Sequence, residues 1–276
     1  MTGVQGVPSG QGTNDRPANA ASLAHAFSEA ERQAVYRAIR ERRDMRHFSG
    51  GSVPDEQLQR LLQAAHQAPS VGLMQPWRFI RVRDAGLRGA IHALVEQERV
   101  LTAQALGERE DEFMKLKVQG VLDAAEVLVA CMPPGREAHI FGRRTLPEMD
   151  LASVACAIQN LWLAARAEGL GLGWVSIFCP AQLAQCLHLP EGSRPVAILC
   201  LGPVVAFYDR PMLQAEQWAS PAPLSAMLFE DRWGRFPPEA DGSAAATVSP
   251  GMPAMTASDT PPTTPSSTTA PGKTSP

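Results

Sequence analysis

The chain has 276 residues, 45% of them hydrophobic and 19% charged, which is enough apolar material for a sizeable buried core. A formal net charge of -3 gives no basic field that would draw in nucleic acid, so a polyanion-binding role is set aside. Five cysteines, Cys131, Cys156, Cys179, Cys186 and Cys200, lie scattered without a C-x-x-C pair; this reads as a reducing compartment and no zinc site.

The first stretch, MTGVQGVPSGQGTNDRPANA, has neither the basic start nor the apolar run of a secretory signal, and a cytoplasmic location is expected. Residues 1–27 are rich in Gly, Asn, Ser and Ala, and residues 237–276 in Pro, Thr, Ser and Ala. Both read as disordered tails because they offer too little apolar surface to offset ordering entropy. The expected domain is 28–236. No internal repeat is visible.

Within it, Ser28 and Glu31 form a capping box, and Ala34, Val35, Ala38 and Ile39 follow at helical spacing to about Arg42. A turn at 49–52 leads to a helix from Pro54 that stops at Ala68, before Pro69. Trp77 to Arg83 reads as a strand. Residues 84–120 read as helical but increasingly polar, with the character of a lid. Glu126 to Met132 is a buried strand, and Asp150 is expected to cap an apolar helix ending near Gly169. That helix, with Gln159, Asn160 and Arg166 in it, is too short and too interrupted to span a bilayer. A strand from Gly171 to Phe178, a short helix from Pro180 and a strand from Pro195 to Leu201 complete the domain. Without regular β-α-β alternation the fold class is α+β.

Three segments carry candidate chemistry. Arg42-Arg43-Asp44-Met45-Arg46 closes the first helix. It reads either as a solvated helix end favoured by the dipole or as guanidinium forks for a phosphate, with Asp44 kept ionised among cations. Pro69 to Trp77 is a rigid turn in which Gly72 allows close backbone approach while Gln75 and Trp77 bring an amide and a ring to a strand. Gly169-Leu-Gly-Leu-Gly173-Trp-Val-Ser176 opens a strand rather than a helix, so it is not the G-x-G-x-x-G dinucleotide fingerprint.

In this order the segments RRDMR, AAHQAPSVGLMQPW, MDLASVACAIQNLWLAARAEGLGLGWVSIF, LCLG and RWG resemble the nitroreductase superfamily, and within it the family of flavin-fragmenting 5,6-dimethylbenzimidazole synthases. The resemblance covers about 31–235. Ordinary nitroreductases carry Asn where this chain has Leu73 and Ser where it has Asp44, and both departures match the synthase branch.

The resemblance implies an FMN-binding fold with a mixed or antiparallel sheet flanked by helices, in an intertwined homodimer with flavin at the subunit interface. It implies that reduced FMN and dioxygen are the substrates and that a separate flavin reductase supplies the former. No membrane or nucleic-acid partner is expected. It places Arg42, Arg43, Asp44, Met45, Arg46, Ser70, Gly72, Leu73, Gln75, Trp174, Val175, Ser176 and Ile177 at the flavin, with Asp44 and Ser176 in the chemistry. Two other readings stay open: a nicotinamide-dependent reductase that retains its flavin, and a non-catalytic flavin-binding module.

Overall fold

The computed structural model describes residues 25–115 and 118–237, so the two tail assignments lie almost wholly outside the described residues. The described residues divide into two compact units, one up to Pro221 and one from Ala222.

In the first unit, four strands form one sheet in the order β1-β2-β4-β3: β1 (Arg78–Val82), β2 (Glu126–Met132), β3 (Gly171–Val175) and β4 (Arg194–Gly202). Every neighbouring pair is antiparallel. Every residue of β2 is buried, because the sheet is covered on both faces. Leu128 and Ala130 join the core under α2 (Asp55–His66) and α6 (Met149–Ala167), with Leu61, Ile158, Leu161 and Leu199. Val127, Val129 and Cys131 point the other way, into a core with Ile91 and Val95 of α3 (Ala85–Leu106) and Leu183 of α7 (Pro180–Cys186). This is the α+β class the sequence implies.

The capping box forms as expected at α1 (Glu29–Glu41): Glu31 N–H donates to Ser28 Oγ, and Ser28 N–H donates to the Glu31 carboxylate. The helix buries none of its residues, and Val35, Tyr36 and Ile39 remain about half exposed. The polar stretch after α3 breaks into a 3-10 turn, α4 (Glu110–Met114) and α5 (Gly120–Asp123). The guanidinium of Arg109 lies 3.5 Å from the Trp218 ring centroid, which fastens this stretch to the chain beyond α8 (Met212–Ala215). No helix among the described residues is long and apolar enough to cross a membrane.

Two expectations need correction. Asp150 is not a cap: α6 starts one residue earlier, at Met149, and the Asp150 carboxylate is buried between Arg136 and Arg143, both 3.0 Å away. Strand β3 ends at Val175 rather than Phe178, because Phe178 N–H donates to the Ser176 carbonyl and turns the chain. In the second unit, Phe229 packs against Trp233 and Phe236, each pair with ring centroids 4.9 Å apart.

Candidate active site

The arginine segment leaves α1 and runs alongside β3. Met45 N–H donates to the Leu172 carbonyl at 3.0 Å, and Asp44 and Leu172 form a parallel bridge. This approach requires a glycine opposite: a Cβ on Gly173 would sit 2.2 Å from the Met45 carbonyl oxygen. The glycines of the third motif therefore let a second backbone lie against the strand.

Asp44 is held through both oxygens. Oδ1 accepts from Trp174 N–H at 2.8 Å, and Oδ2 accepts from the Arg46 guanidinium. Burial pushes the Asp44 carboxyl above the ordinary aspartate range, against the opposing pull of Arg46, the Trp174 N–H and Arg42. The net shift is thus opposite to the one cations alone would impose, because desolvation of the carboxylate outweighs them.

The three arginines have different surroundings. Arg42 stacks on Trp162, its guanidinium carbon 4.5 Å from the ring centroid. Arg43 is committed to backbone: it donates to the Arg40 and Arg42 carbonyls, both at 2.7 Å, and to the Asp209 carbonyl at 2.9 Å. Arg46 pairs with Asp44, while its Nε is buried without a partner. Met45 is buried, its side chain against the Gly171 position.

The loop before β1 is unusual in its backbone. Gly72, Leu73 and Gln75 have φ of 52°, 54° and 46°, a left-handed conformation that side chains other than glycine rarely adopt. Such strain persists only where the surroundings impose it. Here Ser70 Oγ accepts from Gln75 N–H at 3.0 Å, and Val71 N–H donates to Ser153 Oγ of α6 at 3.0 Å. The Leu73 side chain is left 81% exposed.

Beyond β3, Ser176 is exposed and lines a cavity of about 450 Å³ with Leu151, Trp174, Phe178, Arg194 and Val196. Trp174 links the two candidate catalytic residues, since its N–H holds Asp44 and it lines the cavity with Ser176. Asp44 itself does not line that cavity. Val175 is buried and Ile177 half-buried beside it.

Four residues outside the expected set bear on the site. Trp162 supports Arg42 and donates to the Arg43 carbonyl at 3.1 Å; Ser153 holds the Gly72 loop. The Tyr208 hydroxyl accepts from Arg46 N–H at 3.3 Å and lies 2.7 Å from His47 Nδ1. His139 lies against Gly72. A serine facing inward from an apolar helix is a readable signal for Ser153, whereas Tyr208 lies about 160 positions from Arg46 with nothing local to mark it. Asn160, whose role the sequence leaves open, donates to the Ala64 carbonyl of α2 at 3.1 Å.

The candidate residues meet α6 in two separate places: Ser153 holds the strained Gly72 loop, and Trp162, nine residues on, holds the segment that carries the guanidinium groups and the oriented carboxylate. Among the described residues, four buried side-chain nitrogens lack a hydrogen-bond partner: Arg43 Nε, Arg46 Nε, His92 Nε2 and His139 Nε2. Residues 39–203 match the Nitroreductase family. The chain is similar to the 5,6-dimethylbenzimidazole synthase of Rhodospirillum rubrum, with 38% identity over 71% of this chain and 94% of that protein. It is also similar to that of Rhodobacter capsulatus, with 36% identity over 71% of this chain and 96% of the relative.

Among solved structures, oxidized iodotyrosine deiodinase bound to FMN and 3-iodo-L-tyrosine aligns at a TM-score of 0.52 and 25% identity, covering 64% of this chain and 94% of that one. Nitroreductase A from Vibrio parahaemolyticus shares the fold at a TM-score of 0.56 and 22% identity, covering 74% of this chain and 78% of that one. On the sequence match, the shared fold and the three motifs, the chain belongs to the nitroreductase family, on the branch of the 5,6-dimethylbenzimidazole synthases.

Proposed function

We propose that the chain is a 5,6-dimethylbenzimidazole synthase, an oxygen-dependent enzyme that fragments reduced FMN into the lower ligand of cobalamin and a four-carbon sugar phosphate. The observation that carries the reading is Asp44, a carboxylate held through both oxygens in the segment that also carries the arginines. Flavin retention needs no such carboxylate, and ordinary nitroreductases have serine there.

The residues divide the work. Arg42 and Arg46 would present positive charge to the phosphate or the polar edge of the flavin, and the Gly72 loop would offer its backbone to the cofactor. When bound, reduced flavin would supply the electrons for dioxygen. Separating the ribityl chain from the ring requires a proton to leave carbon, and Asp44 is the base that takes it. Its burial strengthens it for this task, since a carboxylate whose pKa is raised binds a proton more tightly. Ser176 holds the ring or the opened product through its hydroxyl from the Trp174 cavity.

We infer that the working form is a homodimer with flavin at the subunit interface, which agrees with the half-exposed apolar residues of α1. A separate flavin reductase in the cytoplasm supplies the reduced substrate, and residues 28–236 suffice for the reaction. The test is to mix the protein with chemically reduced FMN and oxygen and to look for dimethylbenzimidazole by mass. Intact flavin recovered through many NAD(P)H-driven turnovers would mark a flavin-retaining reductase instead.

A further inference from the structure

The C-terminal part of α6 meets the chain leaving α1 at two successive places. Arg166 donates to the Glu41 carbonyl at 3.3 Å and to the Glu41 carboxylate at 2.6 Å, and its guanidinium carbon lies 4.2 Å from the Phe207 ring centroid. One turn earlier on the same helix, Trp162 Nε1–H donates to the Arg43 carbonyl at 3.1 Å. That carbonyl belongs to the peptide group joining Arg43 to Asp44, so the indole grips the backbone directly before the candidate base.

The same side chain is also used on its face. Arg42 lays its guanidinium carbon 4.5 Å from the Trp162 ring centroid, and the Trp174 ring lies 6.4 Å away, tilted by 38°. Trp162 is only 7% exposed, and a cation over a largely desolvated ring is held by the ring's negative face as well as by contact.

Packing alone does not call for an indole here. Any apolar ring or chain would fill space beside Leu161, Ala165 and Leu172, whereas the indole adds a donor where a backbone acceptor lies and a face where a guanidinium sits. After Asp44, the segment is tied by Met45 N–H to the Leu172 carbonyl and by Arg46 N–H to the Tyr208 hydroxyl. Trp162 supplies the tie before it. We propose that Trp162 is a positioning residue of the flavin site: its N–H fixes the Asp44 peptide for proton transfer, and its ring face holds the Arg42 guanidinium for the ligand. The proposal rests on the reading that this site binds and fragments FMN.

The test uses the full chain and two variants. Trp162→Phe keeps an aromatic face for Arg42 and removes the donor, and Trp162→Leu removes both. In the flavin-free protein, amide hydrogen exchange at Met45 and Arg46 should be about tenfold faster in Trp162→Phe, with Leu199 in the sheet unchanged. At saturating reduced FMN, dimethylbenzimidazole formation by Trp162→Phe should slow about tenfold with KM unchanged, because the lost hydrogen bond orients the base and not the flavin. Asp44→Asn should cost about tenfold less in that background than in the wild type. Oxidised FMN should bind Trp162→Phe nearly as well as the wild type and Trp162→Leu about tenfold more weakly, and adding Arg42→Gln to Trp162→Leu should weaken it no further.

Wild-type exchange together with a wild-type rate in Trp162→Phe would overturn the proposal. Fully additive losses in both double-mutant comparisons would overturn it as well, because Trp162 would then be a packing residue only. If Trp162→Leu does not fold, Trp162→Met, which also lacks an aromatic face, replaces it; if neither folds, the exchange and rate of Trp162→Phe decide. Fragmentation by the wild type is measured first. A wild type that binds FMN and leaves it intact ends the synthase reading, and amide exchange with the Arg42 comparison then decides for or against the Trp162 contacts on their own.

Discussion

The Asp44 carboxylate and the Trp174 backbone N–H are joined by a hydrogen bond of 2.8 Å, so the candidate base is fixed to the strand whose end carries Ser176. A carboxylate on a flexible turn would have to be ordered in each turnover; this one is ordered by the sheet edge.

Asp44→Asn preserves the acceptor for Trp174 N–H and removes the basic oxygen. Reduced FMN should still bind, and the dimethylbenzimidazole yield at saturating reduced FMN should fall by about 10²–10⁴, the range for a lost general base. Ser176→Ala should cost less, since one hydrogen bond is removed, and should shift products toward reoxidised flavin. Product mass and remaining flavin, measured together, separate the two; a normal yield from Asp44→Asn removes the aspartate from the chemistry.

The arginines should separate by role. Arg43 directs both terminal nitrogens to three backbone carbonyls, leaving only its buried Nε unpartnered, so Arg43→Ala should lower the melting temperature more than it weakens FMN. Replacing Arg42 and Arg46 by Gln should weaken FMN and leave riboflavin less affected, because a phosphate contact is lost. Flavin titration by fluorescence beside a thermal melt checks both, and an FMN defect confined to Arg43→Ala would reverse the assignment.

Gly173→Ala places a methyl 2.2 Å from the Met45 carbonyl, backbone against backbone, where no rotamer change relieves it. Stability should fall by about 1–3 kcal/mol, as for overpacking in a tight site. Asp44 should be displaced with Met45, so flavin destruction should fall too. Denaturant unfolding and product yield on one preparation give the two numbers, and a variant unchanged in both would show that the two backbones are not in contact.

Cys131 and Cys200 are buried, and burial pushes both thiols up to about 12. They should resist a thiol reagent at pH 8 until the protein unfolds, because the thiolate is the nucleophile. The folded pKa lies above the unfolded value of about 8.5, so these groups favour the fold fully below that pH. Their contribution should be lost as pH rises through the folded value, and stability should decline in the alkaline range from about 8.5 toward 12. Replacing both by Ala should flatten that decline, which unfolding at a series of pH values would reveal.

Legibility followed the range of the forces involved. Glu126–Met132 reads as a strand from its Val-Leu-Val-Ala-Cys run, and all seven of its residues are buried; Ser28 with Glu31 reads as a cap because both partners lie within one turn. Asp150 misleads because an acidic residue opening a helix suits a cap equally well, and only the folded chain brings Arg136 and Arg143 to it. Of the expected site, the Asp44 segment and the Gly173 strand prove to be neighbours, which the missing side chain at Gly173 allows. Arg43 was indistinguishable from Arg42 on paper, since which guanidinium turns back onto carbonyls is set by the exit angle of α1 and by Asp209, far along the chain.

Strand β3 is the last in the sheet order, and an outermost strand offers unpaired backbone groups to any other extended chain. The arginine segment occupies part of that edge through Asp44, Met45 and Leu172. The stretch that carries the reaction is thereby also a guard against self-association, and damage to it has two costs of different kinds. Variants that loosen it should be lost to insoluble aggregates as well as inactive, so their apparent severity in a cell will exceed what purified soluble protein reports.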